Sequence, residues 1–388
     1  MKRLGVLLLV AFTTLPVAHT TLGIGQVNQE LMIDKTFDAP EDGQLEILVG
    51  DADVTVLSGS GDEIHVAVTL FGKNMDRARE YFEKQQFSVA ASGSVIRVAS
   101  DGKGSFGWNW KEWRDTAPQI QVRVTAPREF DATVHTSDGD IEIGDLTGNI
   151  RLKTSDGDIT ADNLAGPYLL LNTSDGDIAS SRLDAESIEI HTSDGDLDLG
   201  EVFAGKIVAR TSDGDIRIRM IEGIAILKTS DGDLDLGKVE ADRFSAHTSD
   251  GDINIAQLYG DGEMRTTDGD IYVGALAGSM SSAHSSDGTI TISNVEGGLS
   301  VTGSDIDVQL HLQAPGKITV ATSSGDIKIT IPQDHPADLV LRGDDVHMAS
   351  YVNFEGRMDD EYAKGRINGG GDLIEVHTSD GDVVLQTK

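Results

Sequence analysis

Apolar and polar residues alternate with a period of two on both sides of a short polar turn. Before the pair Asp156-Gly157, Ile150, Leu152 and Thr154 alternate with more polar residues, and after it Ile159 and Ala161 do the same. This period predicts two short strands. We expect Asp-Gly to form the turn between them, because glycine accepts positive φ without steric cost. A second, looser corner follows, here at Gly166, so one unit is strand, corner, strand, corner.

The turn recurs through the last two-thirds of the chain as Thr-Ser-Asp-Gly-Asp or a close copy, in steps of 18 or 19 residues. Looser copies lie at Gly325 and Gly381. A fixed period of this length indicates a repeat architecture. The glycines of the regular run are Gly139, Gly157, Gly176, Gly195, Gly214, Gly232, Gly251, Gly269 and Gly288.

Two all-β topologies fit the repeat. Asp-Gly is also a hairpin signal, so the units could form one long antiparallel meander. A single flat sheet would leave its apolar face uncovered, and such a face promotes aggregation. Coiling each unit into one rung places the apolar residues inside and stacks like on like. We therefore favour a single β-solenoid with 18–19-residue, two-strand rungs.

The repeat also divides the chain. Residues 1–22 resemble a signal peptide, with Lys2 and Arg3 before a short apolar run. Residues 23–130 are expected to form a β cap with a helix over 74–86 and a tryptophan loop over 105–114. Residues 131–330 form the regular repeats. Residues 331–388 contain an irregular insertion, which we expect to cover the sheet edge, and a final rung.

Charge is concentrated in the repeats. The net charge is −34, and the chain has no cysteine, which excludes disulfides. Residues 1–130 hold 13 basic and 17 acidic side chains, whereas residues 131–388 hold 18 and 48, so the parts carry −4 and −30. Such a surface repels nucleic acid. Beyond the N-terminal run, no segment is apolar enough to span a membrane. We expect an exported protein, in the periplasm or at the cell surface.

The layout resembles the bacterial putative-adhesin family, whose defining domain has no assigned function. The resemblance rests on Val124-Thr-Ala-Pro-Arg-Glu-Phe-Asp before the first rung, the ladder of rungs, and the ending from Gly369 to Leu385. It covers most of residues 40–388 and implies a secreted β-solenoid. This chain differs in the uniformity and acidity of its turns.

Two columns of aspartate, one before and one after each corner glycine, are the sharpest candidate site. Stacked carboxylates about 5 Å apart would repel by roughly 1 kcal/mol per pair even in water. They could accept hydrogen bonds from turn amides, or bind Ca²⁺, which favours clustered carboxylates. Ca²⁺ is the one cofactor that the sequence suggests. The candidate calcium ladder comprises Asp138, Asp140, Asp156, Asp158, Asp175, Asp177, Asp194, Asp196, Asp213 and Asp215.

The position before each corner threonine is mostly basic. We expect these side chains to point outward and to form surface pairs with the aspartates. The residues are His135, Lys153, His191, Arg210, Lys228, His247, Arg265 and His284.

Trp108, Trp110 and Trp113 lie close together in the N-terminal part. They could bind a ligand such as a sugar ring, or pack against the first rung.

We find no motif of a nucleophilic hydrolase, zinc protease, phosphate loop or dinucleotide site. The sequence therefore predicts a non-enzymatic, adhesin-like structural or binding protein of the envelope. Its partner would be an unidentified envelope protein or glycan. The alternatives are a calcium-stabilised acidic scaffold, a polysaccharide-processing enzyme and an ice-binding rod. We disfavour the last, because the corner threonines should point inward.

Overall fold

The structure is a computed structural model that describes residues 27–101, 117–349 and 353–388. The signal peptide predicted at residues 1–22 lies outside these residues. No helix within the described ranges is long and apolar enough to cross a membrane.

The N-terminal part contains seven strands and one helix among its described residues. Helix α1 (Met75–Gln85) is capped by Asn74, whose side chain accepts a hydrogen bond from the Arg77 amide. The strands are β1 (Asn28–Asp38), β2 (Gln44–Leu48), β3 (Ala52–Gly59), β4 (Glu63–Gly72), β5 (Ser88–Ser92), β6 (Val95–Ala99) and β7 (Gln119–Pro127).

Strands continue through the repeats to the C-terminus, and some of them run unbroken around a corner. The repeats contain β8 (Asp131–His135), β9 (Ile141–Ile143), β10 (Leu146–Thr147), β11 (Ile150–Lys153), β12 (Ile159–Asn172), β13 (Ile178–His191), β14 (Leu197–Arg210), β15 (Ile216–Lys228), β16 (Leu234–Glu240), β17 (Phe244–His247), β18 (Ile253–Tyr259), β19 (Gly262–Arg265), β20 (Ile271–Leu312), β21 (Ile318–Ala321) and β22 (Ile327–Ile331). The end contains β23 (Ala337–Arg342), β24 (Val346–Met348), β25 (Phe354–Met358), β26 (Tyr362–Ile367), β27 (Leu373–His377) and β28 (Val383–Thr387).

Equivalent residues of successive repeats pair in parallel. Ile159 is opposite Ile178, Ile178 is opposite Leu197, and Leu197 is opposite Ile216. A meander would pair neighbouring strands antiparallel. The predicted β-solenoid is therefore confirmed, and each turn of the chain forms one layer of a rod.

The strand that follows the Asp-Gly corner bends once within each layer. Pairing between β12 and β13 skips the position of Ser181 and resumes at Arg182. The inward residues Ser180 and Leu183 are therefore three positions apart rather than two. We name the segment before each corner, such as residues 187–191, the leading face. The bent segment after the corner, such as residues 197–203, is the trailing face.

Apolar columns fill the inside of the rod. The side chains that follow each corner are fully buried, as the two-residue period predicts. Because each column repeats one kind of residue, every layer packs on a near-copy of itself. The column after the corner consists of Ile159, Ile178, Leu197, Ile216, Leu234, Ile253 and Ile271.

Antiparallel strands cover both ends of the stack. At the N-terminal end, β4 pairs antiparallel with β7, and β1 pairs antiparallel with β4. At the other end, β26 pairs antiparallel with β23 and β25 with β26. The last strands of the chain, β27 and β28, lie inside the stack, between β21/β22 and β23/β24. An open solenoid end would expose unpaired strand edges. The antiparallel strands at each end cover the edges of the parallel layers, so that those edges cannot pair with another molecule.

From Gly139 to Gly269, the corner glycines are required by close contact between layers, not by positive φ. A Cβ atom added to Gly195 would lie 1.9 Å from the carbonyl oxygen of Gly176, and one on Gly157 would lie 2.1 Å from that of Gly139. None of these four glycines has a positive φ, which corrects the expectation from the sequence, whereas the later corner glycines Gly288, Gly325 and Gly381 do have one. Glycine therefore lets the corners of adjacent layers approach within hydrogen-bonding distance.

We predict that Gly195→Ala destabilises the rod by at least ~2 kcal/mol, because the new methyl group overlaps backbone that cannot move away. Gly61→Ala is the matched control, since nothing lies within 4 Å of its added Cβ. Urea unfolding followed by circular dichroism measures both variants. Equal midpoints for the two variants would contradict this account of the corner.

Candidate functional site

The corner is held by a threonine that bonds to the layer below. Thr192 Oγ1 donates to the carbonyl oxygen of Gly176 at 3.0 Å and lies 3.1 Å from that of Ser174. Thr192 Oγ1 also accepts a hydrogen bond from the amide of Gly195, in the same corner, at 3.3 Å. Thr192 is fully buried, which confirms that the corner threonines point inward. The row of threonines is therefore structural and is not available to solvent.

The aspartates after the corner glycines form an inter-layer hydrogen-bond ladder. Asp177 Oδ1 accepts the amide of Asp196 at 2.8 Å, and Asp196 Oδ1 accepts the amide of Asp215 at 2.9 Å. The contact recurs in the other layers of this column, from Asp140 to Asp270. The carboxylates thus accept turn amides, but from the neighbouring layer rather than from their own turn.

A guanidinium offsets part of the charge in this ladder. Arg217 bonds Asp196 Oδ2 at 2.9 Å and also contacts Asp215. Burial raises the pKa of Asp196, but the Asp215 amide and the Arg217 guanidinium outweigh it, so the pKa lies below its usual value.

The ladder extends beyond the aspartates found by sequence analysis. Asp53 Oδ1 accepts the amide of Asp140 at 3.2 Å, and Asp326 Oδ1 accepts that of Asp382 at 2.9 Å. Burial raises the pKa of Asp53 despite its amide bond. The corner at Gly50-Asp51-Ala52-Asp53 has alanine in place of glycine. Its Asp-x-Asp spacing was the signal that could have revealed it.

The aspartates before the corner glycines have a different environment. They are exposed, from Asp138 through Asp156, Asp175, Asp194 and Asp213. The pKa of Asp138 is raised by burial and then by the charges of Asp51 and Asp156, so repulsion acts within this column. Among the residues that the structure describes, no group of three or more Asp, Glu or His is arranged to hold a metal ion. Calcium binding stays a prediction.

The basic residues before the threonines do not pair with the aspartates. None of them takes part in an ion pair within 4.0 Å in the described part of the chain, so the prediction of surface pairing is wrong. The ion pairs in the middle of the rod are formed instead by four cations of the trailing face, Arg182, Arg217, Arg219 and Lys238. The sequence period placed the basic residues in one column but did not show which acids lie within reach.

A shallow groove of about 540 Å³ lies on the trailing face. Its floor contains Gly200 and Gly237, and Asp235 and the exposed Tyr272 contribute to its lining. Asn254 Nδ2 donates to Asp235 Oδ1 at 3.1 Å. Aromatic and hydrogen-bonding groups side by side can bind a polar chain. The tryptophans proposed for ligand binding, Trp108, Trp110 and Trp113, lie outside the described residues.

Parallel layers, inward apolar columns and capped ends define the chain as a capped β-solenoid. The family model of Toastrack DUF4097 matches residues 43–225 and again residues 221–386. The chain therefore belongs to this family and contains two consecutive matches to it. No curated protein matches the chain.

Three solved structures of bacterial proteins align with this chain. A putative adhesin from Parabacteroides distasonis is 15% identical, with 77% of this chain and 97% of that one covered and a TM-score of 0.26. A putative adhesin from Bacteroides fragilis is 14% identical, with 92% of this chain and 97% of that one covered and a TM-score of 0.23. A putative cell adhesion protein from Clostridium sporogenes is 8% identical, with 94% of this chain and 100% of that one covered and a TM-score of 0.17. At TM-scores this low, the likeness supports no argument about the site.

We predict that Asp177→Ala destabilises the rod by ~0.5–1.5 kcal/mol, because the amide of Asp196 loses its acceptor. Asp177→Asn should lose less, because an amide oxygen can replace Oδ1. Asp198→Ala is the control, since Asp198 is exposed on the trailing face of the next layer. Urea midpoints measure all three variants. A midpoint for Asp177→Ala equal to that of Asp198→Ala would show that the ladder does not contribute to stability.

Proposed function

We propose that this protein is an exported, non-enzymatic binding rod of the bacterial envelope, with an adhesin-like role. The observation that carries the proposal is the parallel register of the layers, which repeats each outward position along the rod. A surface of this kind suits a partner that itself repeats, such as a glycan chain, because equivalent contacts can form in successive layers. Membership of the Toastrack family agrees with this proposal.

The arrangement of carboxylates supports binding rather than catalysis. Acid–base catalysis needs groups with perturbed pKa values placed at one reacting centre. Here the ladder carboxylates repeat along the rod. Asp177 and Asp196 each accept a hydrogen bond from a backbone amide. The groove at Tyr272 is a further surface on which a polar chain could lie without being cleaved.

We expect the purified protein, residues 23–388, to retain one or more glycans from a panel of bacterial envelope polysaccharides without shortening them. Retention of the protein on immobilised glycans measures binding. Size analysis of the recovered glycan chains shows whether they were shortened. Shortened or chemically changed products would contradict the non-enzymatic role. If no envelope glycan or envelope protein is retained, the binding role itself is wrong.

A calcium-stabilised scaffold is the second candidate function. The raised pKa of Asp138, caused by burial and then by Asp51 and Asp156, favours it, because a cation would relieve the same repulsion.

On this second hypothesis we expect millimolar Ca²⁺ to raise the melting temperature relative to chelator, and Asp156→Asn/Asp175→Asn to reduce that increase. A conservative pair on the trailing face, Asp198→Asn/Asp235→Asn, should leave the increase unchanged. Differential scanning calorimetry makes the comparison. Identical melting curves with chelator and with Ca²⁺ would remove the hypothesis.

A further inference from the structure

The leading face of the rod has the opposite charge to the rest of the protein. Its two outward columns next to the corner, from Thr133 and His135 to Ser282 and His284, include five Lys or Arg and two Asp or Glu. The chain as a whole carries −34. Most acids of the repeats therefore lie at the corners and on the trailing face, and the leading face is locally basic.

Three cations and three histidines of this face lie in one continuous column, which we name the basic row. The register places each member opposite the next one through six consecutive layers. Parallel strands are about 4.8 Å apart, so a positive or protonatable group recurs at that interval. The basic row consists of His191, Arg210, Lys228, His247, Arg265 and His284.

The basic row is not neutralised by the acids around it. No member forms an ion pair within 4.0 Å among the described residues, and Arg210, Lys228 and Arg265 are exposed. His284 Nδ1 lies 2.9 Å from Thr302 Oγ1. Burial lowers the pKa of His247, and the charges of Lys228 and Arg265 lower it further, against the opposing effect of Glu263. Neighbouring members of the row thus act on one another electrostatically.

The column beside the basic row contains two acids and several apolar side chains. Glu189 and Glu263 are the acids, and Val208 and Ile226 are half-buried residues between them. In the six layers of the row, the only aromatic side chain on this face, Phe244, is buried. The surface therefore combines spaced cations with aliphatic patches and offers no exposed aromatic platform.

We propose that the basic row binds a linear acidic polysaccharide with one carboxylate per sugar. The layer spacing is close to the length of one sugar in an extended chain, so carboxylates along the chain can meet Arg210, Lys228 and Arg265, which lie at multiples of that spacing. The apolar faces of the sugar rings can lie on Val208 and Ile226. This inference rests on the proposed function and names its ligand class.

Single-stranded nucleic acid fits the same surface less well. Proteins that bind it combine cations with aromatic side chains on which the bases stack, and this face has none exposed in the six layers. The acidic remainder of the protein also opposes a polymer of high charge density. Nucleic acid is therefore the competing outcome of the test rather than the proposed ligand.

The probe is an oligogalacturonate of eight sugars, and its methyl ester is the neutral control of the same length. Isothermal titration calorimetry at pH 7 and low salt should show binding of the acid form and at least about tenfold weaker binding of the ester. Affinity for the acid form should fall as salt is added, because the contacts are between exposed charges.

Two triple variants with the same change in net charge test the place of binding. Arg210→Gln/Lys228→Gln/Arg265→Gln removes three members of the basic row, and we expect at least about tenfold weaker binding. Arg182→Gln/Arg219→Gln/Lys238→Gln removes three cations of the trailing face and should change the affinity less than about threefold. Circular dichroism and melting temperature verify that both variants fold.

Three results would overturn the inference. They are no binding of the oligogalacturonate by the unaltered protein, equal weakening by the two triple variants, and tighter binding of single-stranded DNA of the same charge than of the oligogalacturonate. Retention of a different envelope glycan together with any of these results would reject the basic row as the site while leaving the proposed binding function in place.

Discussion

The structure depends on how closely one corner approaches the next. At the regular corners from Thr154 to Thr266, a buried threonine hydroxyl bonds to the carbonyl oxygens of the layer below, and an aspartate accepts an amide from the layer above. Thr192, Gly195 and Asp196 show the arrangement. Both bonds require glycine, because a Cβ atom would occupy the space that brings the corners together. The near-identity of the corner sequence follows from this contact, since a change in one layer alters its bonds to two others.

The corner contact also determines where charge lies. Each layer must place an aspartate at the same point, so the carboxylates stack in columns despite their repulsion. In one column an amide from the next layer bonds each carboxylate, which favours the ionised form. The opposite charge is on the leading face, where the basic row repeats at the layer spacing. Acidic corners and a basic face are thus two consequences of one register, and they give the rod surfaces of different chemistry.

Periodicity made the repeats accessible from sequence. Alternation around Asp156-Gly157 and the constant step predicted the strands, the corner and the inward threonines, because in a solenoid each layer packs only on its neighbours. Contacts between side chains of different layers were not encoded in the period. The acceptor role of Asp177, the partners of Arg217 and the isolation of Lys228 depend on which residues meet across layers. The corner at Gly50 was missed because Ala52 takes the place of the corner glycine. The bend at Ser181 was missed because its apolar spacing of three looks irregular.

The central claim is that equivalent residues of successive repeats lie directly over one another in parallel. Pairs of introduced cysteines test it on a background without native cysteine. Thr160 and Ala179 are opposite each other in adjacent layers, whereas Thr160 and Asp198 are two layers apart. Parallel neighbours are about 4.8 Å apart, within the Cα separation that a disulfide spans. Thr160→Cys/Ala179→Cys should therefore cross-link rapidly under mild oxidation, and Thr160→Cys/Asp198→Cys should not. Equal cross-linking of the two pairs, or none in the first, would contradict the stacked register.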